Sequence, residues 1–396
     1  MSQAAPTIRM RLFPLTQLLM VLSELALAAA IGLGLLFLGS DGTSWILGGI
    51  AAGAIAFAIS HQSLNVSVAP NRTARKIGQL LVGLTVGFSV QHSNLLALST
   101  EIPLFLLLTG CLLLGGIVVA AMYARLEKTD LLTALLATTP GNIGVMASIA
   151  ADYGSNPALV SLVQLMRFTL VTFAIPLLSN VTHPTDPWAT LHALTQHPID
   201  LHPWYLFWLG LVLLLAGMSV KVGATLRLPV PGLLCPLIVG IGFNTLFSAV
   251  PFFPVVDFNP PTLLNLLGQI LLGITIGEYW GMNPKLGKAA IAHATIPAIL
   301  TLVAGLSVAG IAKLLTSWDW LTCLLVTAPG GSPEMIWIAL TLNQDVEVVT
   351  AGHLVRLIAI NALLPLMISA VEYVQRSPHL IPIRNWLTSS QNTSET

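Results

Sequence analysis

The sequence predicts an all-α polytopic membrane protein made of two homologous helical repeats, and three observations carry that expectation. Of 396 residues, 55% are apolar and only 8% are charged, whereas a soluble chain carries about 25% charged residues. Apolar runs close to the roughly 20 residues that span a bilayer recur along the whole chain. The chain also matches itself at a fixed offset.

In chain order, the runs fall near 15–39, 43–60, 77–90, 102–124, 131–152, 157–180, 204–220, 230–249, 262–280, 289–314, 320–342 and 347–371. They predict about 10–12 transmembrane segments, because some of the shorter ones need not cross. The first run follows Arg9 and Arg11 but is too long for a signal peptide and contains Glu24, so it is expected to be a retained helix. Residues 183–203 are polar and proline-rich and form a linker. Residues 1–182 are then the first repeat, 204–375 the second, and 376–396 a polar tail.

Shifting the sequence by 189 lays LLATTPGNIGVM at 135–146 on LLVTAPGGSPEM at 324–335, and between 132 and 177 fifteen of forty-six positions are identical. Arg167 falls on Arg356 and Pro176 on Pro365. A shift of 190 lays GQLLVGLTVG at 78–87 on GQILLGITIG at 268–277. Apolar matches between membrane helices arise cheaply, but matched Pro-Gly, Gln, Thr, Met and Arg positions do not. The glycine pairs in GLTVG and GITIG fit close helix packing better than phosphate binding.

Loop charges set the expected orientation of the halves. The second loop of the first half holds Arg72, Arg75 and Lys76, with no basic residue in its first or third loop. The second half reverses this, with Lys221 and Arg227, then none, then Lys285 and Lys288. The repeats are therefore expected to be inverted, although Arg125 and Lys128 against Lys313 do not reverse. Inversion needs an odd number of crossings between equivalent points, which makes 77–90 and 262–280 the candidates for non-spanning segments.

Proline removes a backbone donor and clashes with the preceding helical turn. Pro140, Gly141 and Asn142 interrupt one apolar segment, and Pro329, Gly330, Gly331, Ser332 and Pro333 interrupt its counterpart. Paired interruptions in two halves point to a transporter's binding site, where half-helix termini offer partial charge to a solute. Kinked packing helices are the plainer reading.

Ionisable residues inside spans are expensive, about 2.5–3.5 kcal/mol or more at the bilayer centre. Arg167 and Arg356 lie mid-span, with Gln164 and His353 three residues earlier on the same helical face. Glu334 and Asp152 are the expected counter-charges, structural ion pairs between helices are the alternative, and each arginine is expected to point into the protein within reach of an acid, a carbonyl dipole or the mouth of a broken helix. Glu334 stands where the first repeat has Val145, which marks it as a candidate coupling or gating acid. Glu24 and Glu278 are expected to reach the interface from span ends, and His293 to be a hydrogen-bonded structural histidine.

Several function classes are excluded or disfavoured. Sixteen Lys and Arg cancel sixteen Asp and Glu, so no basic surface supports direct nucleic-acid binding. His183, His192, His197 and His202 crowd one loop without acidic or cysteine partners at metal spacing, and no metal or other cofactor is expected. Cys111, Cys235 and Cys323 read as small core residues. HExxH, GxSxG and Walker motifs are absent, so no enzyme is expected.

The duplicated TTPGNIGVM and TAPGGSPEM segments, each followed by a helix with its arginine and proline, resemble the AbrB-type membrane protein duplication over nearly the whole chain. Proteins similar to this have been labelled regulators of gene expression or ammonia monooxygenases, and differ from the small soluble DNA-binding regulators that share the AbrB name. This sequence has no copper-ligand cluster for the monooxygenase label. The expectation is a multi-pass protein of the cell membrane, the inner membrane in a bacterium. It would export or exchange a small, in one reading anionic, solute at the two breaks. The alternative is a membrane-embedded regulator or sensor that affects gene expression indirectly. Its partners would be the lipid bilayer and that solute, with homo-oligomers left open.

Overall fold

In a computed structural model, the structure describes residues 14–38, 43–64, 72–93, 97–141, 143–182, 188, 200–228, 230–249, 256–281 and 288–376. The described residues form fourteen α-helices and one short 3-10 turn, with no strand among them. The helices are α1 (Pro14–Phe37), α2 (Ser44–Leu64), α3 (Arg72–Ser89), α4 (Ile102–Leu126), α5 (Leu131–Thr138), α6 (Ile143–Asp152) and α7 (Pro157–Thr182). In the second half they are α8 (Pro203–Thr225), α9 (Pro231–Ser248), α10 (Thr262–Gly281), α11 (Lys288–Leu315), α12 (Trp320–Thr327), α13 (Ser332–Thr341) and α14 (Val346–Arg376).

Eight of them, α1, α4, α7, α8, α9, α10, α11 and α14, are long and apolar enough to cross a bilayer. The protein is a multi-pass helical membrane protein. The apolar part of α2, Ser44–Ile59, is shorter. The α3 segment carries Arg72, Arg75 and Lys76 in its first turns and does not reach the hydropathy of a span. Segment 262–280, expected among the non-spanning candidates, is instead one of the eight. The expected spans 131–152 and 320–342 are each two short helices, α5 and α6, and α12 and α13. Most of the linker, including His183, His192 and His197, and the tail beyond 376 lie outside the described residues. His202 caps α8 by accepting the Trp204 N–H.

The helices gather into two compact units, and neither unit is a sequence half. One holds α1, α2, α3, α8, α9 and α10. Its main packings are α2 on α10, α3 on α9, α3 on α10 and α1 on α2. The glycine pairs seen in the sequence make these contacts. A methyl group placed on Gly273 or Gly277 would overlap the carbonyl oxygens of Ile46 or Ile50 on α2, and one on Gly83 or Gly87 those of Leu233 or Leu237 on α9. The two repeats thus bury their glycine stripes in the same way, backbone against backbone, as small residues allow in membrane helices.

The other unit holds α4 to α7 and α11 to α14. Here α4 packs on α11, α5 and α14, and α11 packs on α12. Its core includes Tyr123, Leu136, Ala137, Met146, Val160, Val163, Leu364 and Ile368. His293 on α11 meets the Glu127 carboxylate at the end of α4, so it has the partner expected of it.

Candidate functional site

The site is built on the two broken helices of the second unit. Each break opens with an acid at its N-cap, Asp130 accepting the Thr133 N–H at 2.7 Å and Asp319 the Leu321 N–H at 3.4 Å. Side-chain oxygens at that position satisfy amides that have no intrahelical partner. The first half-helix then runs two turns and stops, α5 at Thr138 and α12 at Thr327. Thr138 Oγ1 donates to the Gly116 carbonyl of α4 at 3.1 Å, and Thr327 Oγ1 to the Gly305 carbonyl of α11 at 3.2 Å. Asp130, Thr138 and Gly116 superpose on Asp319, Thr327 and Gly305 at the same shift of 189. These residues were not singled out from the sequence, although that register was the signal that could have found them.

The last carbonyls of a helix lack intrahelical donors and carry the negative end of its dipole. Here the buried arginines supply those donors. Arg167 on α7 donates from Nη1 to the Thr138 carbonyl at 2.8 Å and from Nη2 to Gln164 Oε1 at 2.7 Å. Gln164 Nε2 in turn donates to the carbonyls of Leu136 at 2.8 Å and Thr139 at 2.9 Å. Arg356 on α14 repeats the arrangement, donating from Nη1 to the Ala328 carbonyl at 2.7 Å and from Nη2 to the Gly330 carbonyl at 3.5 Å. His353 takes the place of Gln164. Its Nε2 meets the Leu325 carbonyl and its Nδ1 meets Arg356 Nη2, both at 2.8 Å. A carbonyl only accepts, so Nε2 carries the proton and Nδ1 accepts from the guanidinium, which makes the ring a neutral imidazole.

The sequence pointed to Glu334 and Asp152 as counter-charges, and the structure differs. Carbonyl dipoles and the neutral Gln164 and His353 hold both guanidiniums. Among the described residues no carboxylate lies within ion-pair distance of either. Asp152 sits at the exposed end of α6. Glu334 is buried in the first turn of α13, against Gly331. Arg167 Nε has no hydrogen-bond partner among the described residues.

The remaining predicted residues fall around this core. Pro140 and Pro329 are buried, and Pro329 lies where a side chain on Gly305 of α11 would be. Gly330 faces Val171 and Met335, and Gly331 faces Phe168 and Glu334, so the second break packs on the helix that carries Arg167. Gly141 is exposed beside Met146, and Ser332 is half-buried at the start of α13. Asn142 lies outside the described residues. Three or more metal-ligating side chains do not come together anywhere among the described residues.

The chain is 28% identical over 303 residues to the uncharacterised protein YhjN of Bacillus subtilis (strain 168), covering 74% of this chain and 78% of that one. It is 26% identical over 296 residues to a protein of Escherichia coli (strain K12) proposed by its name to be a regulator, AbrB, covering 73% of this chain and 80% of that one. No solved structure matches it. The AbrB family profile, described as transition state regulatory protein AbrB, matches residues 45–372 and so takes in both broken helices and both arginines: the chain belongs to the AbrB family.

Proposed function

We propose that this protein is a secondary transporter that exports or exchanges a small anionic solute at its two broken helices, in the cell membrane. The observation that carries the reading is the pair of buried arginines. Both guanidiniums are buried and held by carbonyl dipoles and neutral side chains, with no carboxylate within ion-pair distance among the described residues. Intramembrane charges are costly enough to need a use, and an anion would neutralise both. Arg167 Nε is a buried donor with no acceptor among the described residues. Glu334, on the first turn of α13, is positioned to couple or gate, since the helix N-terminus favours its carboxylate while burial opposes it.

The test is flux in proteoliposomes containing the full chain, with a panel of small organic and inorganic anions and imposed proton and sodium gradients. Saturable flux of at least one anion is expected, reduced at least tenfold, about 1.4 kcal/mol in barrier terms, in Arg167→Gln and Arg356→Gln. Flux indifferent to both substitutions would end this reading. If Glu334 couples, Glu334→Gln transports without responding to the gradient.

The name of the Escherichia coli relative favours a second reading, a membrane-embedded sensor that alters gene expression without touching nucleic acid. Under it, transcript changes caused by deleting the gene are restored by variants that carry no flux.

A further inference from the structure

The unit that does not contain the arginines places its acids in two settings. Glu24 on α1 and Glu278 on α10 were expected to reach the membrane interface, but they are 1% and 2% exposed. Asp200 and Asp257 are exposed instead, and both line a cavity of about 340 Å³ between the start of α8 and the segment 256–258 that precedes α10. Trp204, Tyr205, Trp208 and Phe258 supply its aromatic wall. Among the described residues no ion pair takes up either carboxylate.

The protein's own hydrogen bonds fix this wall. Asn244 of α9 donates to the Phe258 carbonyl at 2.9 Å and accepts the Phe258 amide at 3.2 Å, and Ser248 accepts the Val256 amide at 2.9 Å. The Tyr205 hydroxyl donates to the Asn259 carbonyl at 3.1 Å, which ties the same segment to α8. Asp200 accepts the His202 amide at 2.9 Å, and His202 accepts the Trp204 amide at 3.3 Å, so the start of α8 is capped from within. The rings of Trp204 and Trp208 lie 5.7 Å apart at 78°, and those of Tyr205 and Phe258 lie 5.2 Å apart.

The duplication separates this cavity from the needs of the scaffold. The shift of 189 lays Pro203 on Pro14, and each begins a helix. Trp204, Tyr205 and Trp208 then fall on Leu15, Thr16 and Leu19, and Asp200 on Arg11. The shift of 190 lays Pro260 on Pro70, and Asp257 and Phe258 fall on Ser67 and Val68. The first repeat thus starts the same helix without these rings or acids. Aromatic residues at a membrane interface are common on their own, but that habit explains neither the burial of Trp208 and Phe258 nor two acids on one cavity. Residues 168–220 and 228–284, the stretches that supply the cavity, contain no Lys or Arg. Basic residues gather on the cytoplasmic side. Lys221 and Arg227 lie towards the far end of α8, so the cavity faces the opposite, outer side.

We infer that this cavity binds a small quaternary ammonium ion, with the rings against its alkyl groups and Asp200 and Asp257 supplying the opposite charge. Aromatic faces attract such cations through the ring quadrupole, and the alkyl groups give the rings apolar surface to cover. A metal ion fits less well, since it needs several oxygen or nitrogen ligands, and no three ligating side chains come together among the described residues. The inference is independent of the anion reading of the other unit. The same cation can arrive as a free solute or as a lipid headgroup.

The experiment is calorimetric titration of the full chain in phosphatidylglycerol nanodiscs with choline, with protein-free discs as the blank. Saturable binding is expected. Neohexyl alcohol, the uncharged carbon analogue of choline, should bind at least roughly tenfold more weakly. Choline itself should bind at least roughly tenfold more weakly to Trp204→Leu, which copies the first repeat, and to Asp257→Asn. Both residues are exposed, so the unfolding midpoints of these variants should stay near wild type. Phosphatidylcholine discs identify the source: undiminished choline binding there assigns the cavity to a free solute, and its loss to the lipid headgroup. The site is overturned by an absence of saturable choline binding in phosphatidylglycerol, by equal affinity for the neutral alcohol, or by unchanged affinity in both variants. Should one variant fail to fold, the other and the neutral alcohol decide.

Discussion

Gln164 and His353 stand at equivalent places in the two repeats and do one job with different chemistry. Each donates to a carbonyl two residues before the end of the first half-helix and accepts from its arginine. Burial makes the unmet partner the larger effect, since a hydrogen bond adds about 1 kcal/mol but an orphaned buried polar group costs about 1–3 kcal/mol. Gln164→Leu strands two carbonyls and an arginine N–H, and we expect it to lose roughly 2–3 kcal/mol. Gln164→His copies the second repeat and should recover most of that loss, which thermal unfolding of the purified protein would read. Equal destabilisation by both would show that the equivalence is not energetic. Thr327→Val tests the neighbouring bond to the Gly305 carbonyl. A loss of about 1 kcal/mol is expected, and Thr138→Val should match it.

Among elements, the glycines divide into two kinds that the sequence does not distinguish. Gly277 lies against the backbone of α2, where an added methyl overlaps the Ile50 carbonyl, whereas Gly110 on α4 and Gly310 on α11 have no heavy atom within 4 Å of an added Cβ. Gly277→Ala should therefore force α2 and α10 apart and destabilise by about 1–3 kcal/mol. Gly310→Ala should be neutral or stabilise by up to ~1 kcal/mol, because alanine loses less backbone freedom in a helix. Unfolding midpoints of the two variants are expected on opposite sides of wild type or nearly so; a shared large loss would refute the packing argument. The helix breaks belong to this scale too. Pro140 and Pro329 announced where the chain stops being helical, since proline leaves little choice. That the arginines would meet these carbonyls, 28 or 29 residues earlier, rather than an acid was left open by the sequence, because hydrogen-bond partners follow from which helices lie side by side.

At the scale of the molecule, each compact unit takes helices from both repeats. A half expressed alone would leave the glycine faces of α2 and α3 and the face of α4 without their partners on α10, α9 and α11. We expect residues 1–190 or 191–396 alone to be degraded or to aggregate, and the two fragments expressed together to co-purify. A stable, monodisperse half would defeat this expectation. The sequence by itself determined the helical membrane class, the places where the helices break and, through its repeat, the matched polar residues of α7 and α14. Composition and covalent limits on the backbone act locally and leave their mark in the order of residues. Only the tertiary structure decided that the arginines rest on carbonyls, that Glu24 and Glu278 are buried while Phe88 meets other aromatic rings, and how the two halves divide between the compact units. Those outcomes depend on which helix faces come together, and apolar helices of similar composition can be paired in many ways until side-chain size and close backbone approach select one.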